Sequence, residues 1–496
     1  MRKKGVSKER DTEKEEMRVE YWNKQEAEAE LEEINNFFVD GNFHNTDTGN
    51  ASRFVRDHKD AILYCHTRKK WLIWDGVRWA IDTSGEIGRL AEKTIAKMYV
   101  EASKGEDKWQ RKDLAEHAMR SESRQHREAM INLATSKIEV AKTIDDFDQN
   151  KWLLGIQNGA IDLKTGEFRE SKREDMISMC MGTSYDPDAQ CPQWKVFLNE
   201  VLAGDEELIS YLQREIGYSL TGDTSEQSFR FLHGAGANGK TVFINVLQAL
   251  LGDYAQNTPF TTFLIHRQGI RNDLAGLKSA RMITAAEPRK GAKFDLSVLK
   301  DWTGGDRISA RFLFGEYFEF VPQGKLWLNG NHKPIVDETT NAAWRRPRLI
   351  PFTVEIPEEK QDPHLSDKLK EELPGILNWA LVGLKDYLQN GSNPPAAVLK
   401  ATEEYRKESD SIGRFLEEYC EMVPGGVVWN KDLREAYKKF CEDMGFDTER
   451  QNEFTKRLKN TEGIQWERSR SGVIWHGINL NFDDKTGEKP EWGRFV

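Results

Sequence analysis

Gly234-Ala235-Gly236-Ala237-Asn238-Gly239-Lys240-Thr241 stands between an apolar run, Phe229-Arg230-Phe231-Leu232, and a helical pattern from Val242 to Leu251. The eight residues fit G-x-x-x-x-G-K-[ST], and a strand before and a helix after are the context that this spacing needs. Glycines let the backbone wrap phosphate oxygens, while successive N–H groups and the helix N-terminus attract their charge. Lys240 is expected to reach the β- and γ-phosphates and Thr241 to hold Mg²⁺. All eight residues are therefore candidate contacts for a nucleoside triphosphate, ATP or GTP. The fold class this points to is multidomain α/β.

The residues that follow narrow the chemistry. Leu277 to Glu287 reads as an apolar strand ending in one carboxylate, which could orient an attacking water and help hold Mg²⁺. Ala286 stands where a second carboxylate is usual, so the metal is expected on Thr241 and Glu287, with waters completing its shell. Lys325 to Asn331 is a second strand, ending in an amide that can hydrogen-bond a γ-phosphate or a lytic water. Between these strands, from Thr303 to Phe320, aromatics alternate around Gly315 in a β-hairpin pattern. In Ala343-Trp344-Arg345-Arg346-Pro347-Arg348 two adjacent arginines precede a third strand. Either guanidinium could neutralise transition-state charge on a triphosphate held by a neighbouring copy.

Residues 1–40 are a charge-dense lead with few apolar side chains, expected to be solvated. An α+β module is expected over 41–205. One hairpin falls around Asp75-Gly76, between Trp71–Trp74 and Trp79, and another around Gly159 to Arg169. The tryptophans read as hairpin core. Strands alternate with helices over 206–392, ending in a helical lid, and Gly391-Ser392-Asn393-Pro394-Pro395 marks a linker over 393–410. Residues 411–496 read as three helices and a terminal pair of strands, the pattern of a winged helix. In its third helix Phe454 and Leu458 lie one turn apart and face a core, while Lys456 and Lys459 face away, toward a duplex groove. Arg468 and Arg470 fall in the wing, placed for a backbone phosphate.

Composition sets outer limits. The 496 residues carry 72 Lys and Arg against 82 Asp and Glu, a net charge of −10. Such a chain does not coat nucleic acid with its whole surface, but it can grip it in a local basic channel. No apolar run approaches the roughly 20 residues of a membrane span, and no signal-peptide pattern follows Met1-Arg2-Lys3-Lys4-Gly5. Five scattered cysteines suit neither a disulfide scaffold nor a zinc ribbon, so a reducing cytoplasm is expected.

The motif order now has a precedent. P-loop, lone carboxylate, T-G-G-D-x-x-x-A-R from Thr303 to Arg311, the strand ending Asn331-His332-Lys333-Pro334, and the run from Trp344 to Phe352 resemble the superfamily 3 helicase core. The resemblance is closest to the phage and plasmid primase-helicase family, whose poxvirus relatives share the layout, and it covers all but about the first 40 residues. It implies a hexameric AAA+ ring with ATP between subunits, translocating on single-stranded DNA and unwinding forks in a bacterial host cell. It makes Lys240 and Thr241 nucleotide and Mg²⁺ ligands, Glu287 the catalytic carboxylate, Asn331 the sensor, and Arg345 or Arg346 the finger acting in trans. Arg311 and Phe312 then fall at the tip of a hairpin that projects into the channel and meets DNA. Larger members begin with a primase-polymerase domain for which this chain offers no room. No primer synthesis is therefore expected here, and a separately encoded primase or polymerase is the expected partner. An origin-binding initiator with little processive unwinding, and an ATPase acting on RNA or in defence, are the alternatives left open.

Overall fold

The computed structural model describes residues 43–265, 272–313, 315–336, 338, 340–470 and 472–481; the lead at 1–40 and residues 482–496 lie outside them. The chain forms two compact units. The first runs to Asn150 and takes in Asn158–Ala160 and Arg169–Cys180, and the second holds the rest.

The first unit opens with α1 (Asp47–His58), whose N-terminus is capped by the Thr46 hydroxyl accepting from Gly49 N–H at 3.1 Å. Then come β1 (Ile62–Cys65), β2 (Lys70–Trp74), β3 (Trp79–Ile81), α2 (Glu86–Lys104), α3 (Lys108–Ser121), α4 (Arg124–Ala134) and β4 (Ala141–Lys142). The sheet order is β3-β2-β1-β4. Trp74 pairs with Trp79 across the expected hairpin, and Asp75 Oδ1 accepts from the N–H groups of Val77 and Arg78 at 2.9 and 2.8 Å. The side chain of Asp75 thus closes the turn. Trp79 is buried and its ring tilts against Trp74 at 5.5 Å, the core role its pattern predicts. Phe54, Ile62, Ile95 and Met98 fill the space between helices and sheet.

Next, β5 (Leu153–Ile156), β6 (Gly159–Asp162) and β7 (Phe168–Arg169) make a small sheet in that order, which includes the second expected hairpin.

The second unit continues with α5 (Pro192–Val201), α6 (Glu206–Ser219), β8 (Phe229–His233), α7 (Lys240–Leu251), β9 (Ala255–Asn257), α8 (Asn272–Ala275), β10 (Met282–Ala286) and α9 (Leu296–Gly304). β11 (Ile308–Arg311) and β12 (Tyr317–Phe320) pair as the antiparallel hairpin the aromatics predict. β13 (Lys325–Gly330), α10 (Asn341–Trp344), β14 (Pro347–Pro351), α11 (Leu365–Lys370) and α12 (Leu373–Asn390) follow. Five strands form one sheet, β14-β8-β13-β10-β9, with every pairing parallel. Parallel strands are covered on both faces, so they read as continuous apolar runs; β13 is buried at all six positions. Phe231, Ile283, Leu326 and Leu328 pack on Phe263, Leu299 and Trp302. On the other face Trp327 meets Phe243 of α7, which stacks on Trp194 of α5 at 5.7 Å. That stack ties α5 to the helix behind the loop. Arg230, the one charge in β8, is fully buried and paired with the Glu215 carboxylate of α6, which also accepts from the Ser392 hydroxyl at 2.5 Å.

The expected linker at 393–410 is mostly helix, and it is packed. α13 (Ala396–Ser409) lies along β14. The Thr402 hydroxyl accepts from Leu349 N–H at 3.0 Å, and Tyr405 is buried edge-on to Trp344 with its hydroxyl donating to the Pro334 carbonyl. Beyond it run α14 (Ser411–Tyr419), β15 (Cys420–Glu421), β16 (Val427–Trp429), α15 (Asn430–Met444), α16 (Gln451–Lys459), β17 (Gln465–Ser469), β18 (Gly472–His476) and β19 (Asn479–Leu480). Three helices and a strand pair are present as the sequence predicts, with β16 added to give the order β16-β18-β17. Phe415, Tyr437, Phe440, Phe454, Leu458 and Trp475 make a core wholly within residues 412–478.

Candidate functional site

The C-terminal edge of the parallel sheet collects the predicted nucleotide residues. His233 ends β8 opposite Gly330 of β13, and Asn329 lies opposite Ala286 of β10. Register alone therefore places the Gly234–Gly239 loop, Asn331 and Glu287 on one edge, as parallel α/β sheets place their ligand sites. Lys240 opens α7 and is only 5% exposed. Its Nζ donates to the carbonyls of Gly234 and Ala235 at 2.8 and 3.0 Å, to Asn238 Oδ1 at 2.9 Å and to Asn331 Oδ1 at 3.2 Å. Burial pushes its pKa down, and the Glu287 charge nearby opposes that shift.

The loop shape depends on glycine at two points. Gly239 has φ +83°, and a Cβ there would come within 2.6 Å of Val201. A Cβ on Gly234 would overlap the Phe352 carbonyl. Asn238 fixes the loop from inside, donating to the carbonyls of Ala235 and Phe352 at 2.5 and 3.1 Å, while Ile356 N–H donates to Ala237 O at 2.8 Å. These hydrogen bonds were not legible from the P-loop pattern, in which position 238 accepts any residue. Gly236 has open space around its Cα, and Thr241 is exposed on the first helical turn.

Glu287 follows β10 with φ +62°, an uncommon backbone for glutamate, and its N–H donates to Asn329 O at 3.1 Å. It borders a cavity of about 570 Å³ lined also by Phe260, Leu264, Pro288, Arg289 and Lys290. Among the described residues no group of three or more His, Cys, Asp and Glu comes together. The Thr241 hydroxyl and the Glu287 carboxylate are the side chains at this edge suited to holding Mg²⁺ beside phosphate oxygens. Asn329 adds an unforeseen group: it is buried on the Trp327 face of β13, and nothing among the described residues donates to its Oδ1. The alternation Leu326-Trp327-Leu328-Asn329 is the signal that could have found it. Lys333, two residues after Asn331, pairs with Glu408 at the end of α13.

Arg345 and Arg346 do not join this group. β14 runs parallel to β8, with Pro347 opposite Phe229 and Pro351 opposite His233, so the arginines precede the strand at the far edge of the sheet. A five-residue strand spans about 17 Å, which keeps both away from Lys240 of the same chain. Arg345 is exposed and Arg346 half-buried.

Arg311 and Phe312 stand where the β11–β12 hairpin turns. Arg311 ends β11 with its guanidinium over the Tyr317 ring at 4.9 Å, and Phe312 folds back, stacking on Phe318 at 5.3 Å. Among the described residues of the hairpin, the outward apolar groups are Leu313 and Tyr317, 67% and 64% exposed. In the C-terminal domain Lys456, Lys459, Arg468 and Arg470 are all exposed, with Phe454 and Leu458 buried beneath. Lys459 Nζ sits 3.6 Å from the centre of the Trp466 ring, which joins the end of α16 to β17.

Three family models match the chain: "D5 N terminal like" at residues 51–203, a family of unknown function at 232–346, and "Poxvirus D5 protein-like" at 407–476. A proposed helicase of Acanthamoeba polyphaga mimivirus is 29% identical over 323 residues, covering 59% of this chain and 34% of the relative. A proposed helicase of Invertebrate iridescent virus 3 is 25% identical over 69% of this chain and 41% of its own length. A proposed primase of African swine fever virus is 23% identical over 67% and 38%. The chain thus spans well under half the length of these relatives. Among solved structures, the apo C-terminal region of NrS-1 aligns over 84% of this chain and 96% of that one, with TM-score 0.47 and 11% identity.

Proposed function

The chain belongs to the D5-like primase-helicase family, and on that premise we propose that it is an ATP-dependent replicative DNA helicase of a virus, phage or other mobile element. The observation that carries this reading is the meeting of Lys240, Asn331 and Glu287 at one sheet edge, with Arg345 and Arg346 at the other. One chain then holds a triphosphate on its own loop and offers guanidinium groups to a neighbour, the arrangement of a closed AAA+ ring, here a hexamer.

In this reading the loop N–H groups from Gly234 to Lys240 and the start of α7 hold the β- and γ-phosphate oxygens. Lys240 neutralises their charge, and Thr241 with Glu287 would hold Mg²⁺, which supplies charge neutralisation at the transferred phosphoryl group when bound. Glu287 orients the attacking water, and the Asn331 amide senses the γ-phosphate while touching the Lys240 ammonium. Residues 411–481 act as a winged helix: α16 presents Lys456 and Lys459 to a duplex groove, with Arg468 and Arg470 on its backbone. The β11–β12 hairpin lines a channel for single-stranded DNA. A separately encoded primase or polymerase extends what the ring opens.

The test is displacement of a labelled strand from a forked duplex by the purified chain with ATP and Mg²⁺. Unwinding that requires hydrolysis is expected. Hydrolysis without displacement, combined with a footprint on duplex DNA, would replace the helicase by an origin-binding initiator.

A further inference from the structure

Arg345 and Arg346 are neighbours in sequence but have different surroundings. Both follow α10, a single turn anchored by buried Ala343 and Trp344, with the Trp344 indole N–H donating to Glu338 O at 2.7 Å. Arg346 is used up by its own chain. Its Nε donates to the Thr303 hydroxyl at 3.1 Å, its Nη1 donates to the Ala342 carbonyl, and its own carbonyl accepts from Phe229 N–H at 2.9 Å in the β8–β14 pairing. Thr303 is itself fixed, donating to Leu299 O at 2.6 Å inside α9. Arg345 is exposed, and among the described residues its guanidinium makes one hydrogen bond, Nη2 to Gln227 Oε1 at 2.6 Å. Its carbonyl is pinned instead, accepting from Arg348 Nη1 at 2.7 Å. The backbone is held and the side chain is presented.

We infer that Arg345 is the group that reaches the triphosphate of a second copy of this chain, and that Arg346, locked by Thr303, is a positioning residue for α10. This rests on the ring reading given above. A guanidinium that meets a polyphosphate in trans has to exchange its resting partner for phosphate oxygens, and a single exposed amide is a partner it can leave at small cost. Arg346 would have to give up two hydrogen bonds at once, to the buried Thr303 hydroxyl and to the Ala342 carbonyl. In the Thr303-Gly304-Gly305-Asp306 stretch the threonine holds the residue beside the finger, so that the finger itself points outward.

Variants of the whole chain decide the matter. Arg345→Ala is expected to lose about 10³-fold or more in ATP turnover while binding ATP normally, since a finger contributes about 10³–10⁵. Arg346→Ala is expected to stay within about tenfold in turnover while lowering the melting temperature, and Thr303→Val, which removes only the anchor, should do the same. Co-assembled Arg345→Ala and Lys240→Ala chains, each inactive alone, should regain hydrolysis, because one supplies the triphosphate site and the other the arginine. Loss of turnover in Arg346→Ala and in Thr303→Val with Arg345→Ala near wild type would overturn the assignment and leave the ring reading standing. Loss in Arg345→Ala without recovery in the mixed assembly would overturn action in trans. Normal turnover in both arginine variants would remove the finger, and with it the ring reading at this edge.

Discussion

The Lys240 ammonium and the Asn331 amide oxygen, 91 residues apart in the chain, lie 3.2 Å from each other at the C-terminal edge of the parallel sheet. Their hydrogen bond ties the end of β13 to the cation of the P-loop. Two residues further on, Lys333 pairs with Glu408 at the end of α13.

The two residues should separate binding from turnover. Lys240→Ala is expected to abolish nucleotide binding, since truncating a buried, hydrogen-bonded charge costs about 2–5 kcal/mol. Asn331→Ala is expected to keep binding and lose on the order of 10²-fold in hydrolysis, the scale of one missing orienting hydrogen bond. Titration with a fluorescent ATP analogue, beside steady-state phosphate release, distinguishes them. Equal loss of binding in both would make Asn331 a structural partner of the loop only.

Tyr405 predicts where the chain can be cut. Ending it after Ser409 keeps α13 on β14 and should leave a folded ATPase, whereas ending it before Ala396 strips the helix and exposes Leu349 N–H and Trp344. Tyr405→Ala should cost about 3–5 kcal/mol in denaturant unfolding, as for other large aromatic truncations in a core. A melt unchanged by that substitution would mean that α13 is only resting on the sheet.

Lys325 gives the stability a pH dependence. It is buried at the start of β13, donates to the Thr221 hydroxyl at 3.3 Å and to the Thr221 carbonyl, and burial with Arg281 and Arg230 nearby pushes its pKa well below 10.5. The unfolded chain holds this proton more tightly than the folded one. Stability should therefore rise with pH from the lowered folded value up to about 10.5. Thermal melts of the wild type and of Lys325→Met across pH 7–10 should show this slope in the wild type and a weaker one in the variant. Parallel profiles would assign the slope to other groups.

Two surfaces should respond differently to DNA. Lys456→Glu with Arg468→Glu should weaken duplex binding and lower the slope of log affinity against log salt by about 0.9 for each phosphate no longer neutralised. Tyr317→Ala should weaken single-strand binding by about 1–3 kcal/mol if its exposed ring stacks on a base. Phe312→Ala should instead loosen the hairpin, because that ring packs on Phe318. Binding isotherms at two salt concentrations measure both effects.

Much of the site was legible because it is local. The P-loop, the carboxylate after β10 and the amide after β13 each follow a strand whose pattern is plain in a window of ten residues. What binds them together is register, and the apolar runs of a parallel sheet carry no mark of which strand lies beside which. The placement of Arg345 and Arg346 at the far edge needed the pairing of Pro347 with Phe229. A helix after Pro394-Pro395 was expected, but its packing was not legible, because only Val398 and Tyr405 of α13 are buried, a narrow stripe in a polar sequence. Long-range packing is hidden for a related reason: Trp194 finds its partner, Phe243, 49 positions later, on the helix behind the P-loop. Arg230 lies inside the apolar run of β8, and the Glu215 carboxylate that pairs with it, itself held by the Ser392 hydroxyl, comes from a helix 15 residues earlier.

β14 is the outer strand of the sheet, and such a strand normally offers a ladder of unpaired backbone groups to any extended chain that passes. Here α13 lies along it, and the Thr402 hydroxyl takes up the outward N–H of Leu349. That border of the sheet is closed to templating, so copies of this chain are not free to associate there by adding strand to strand.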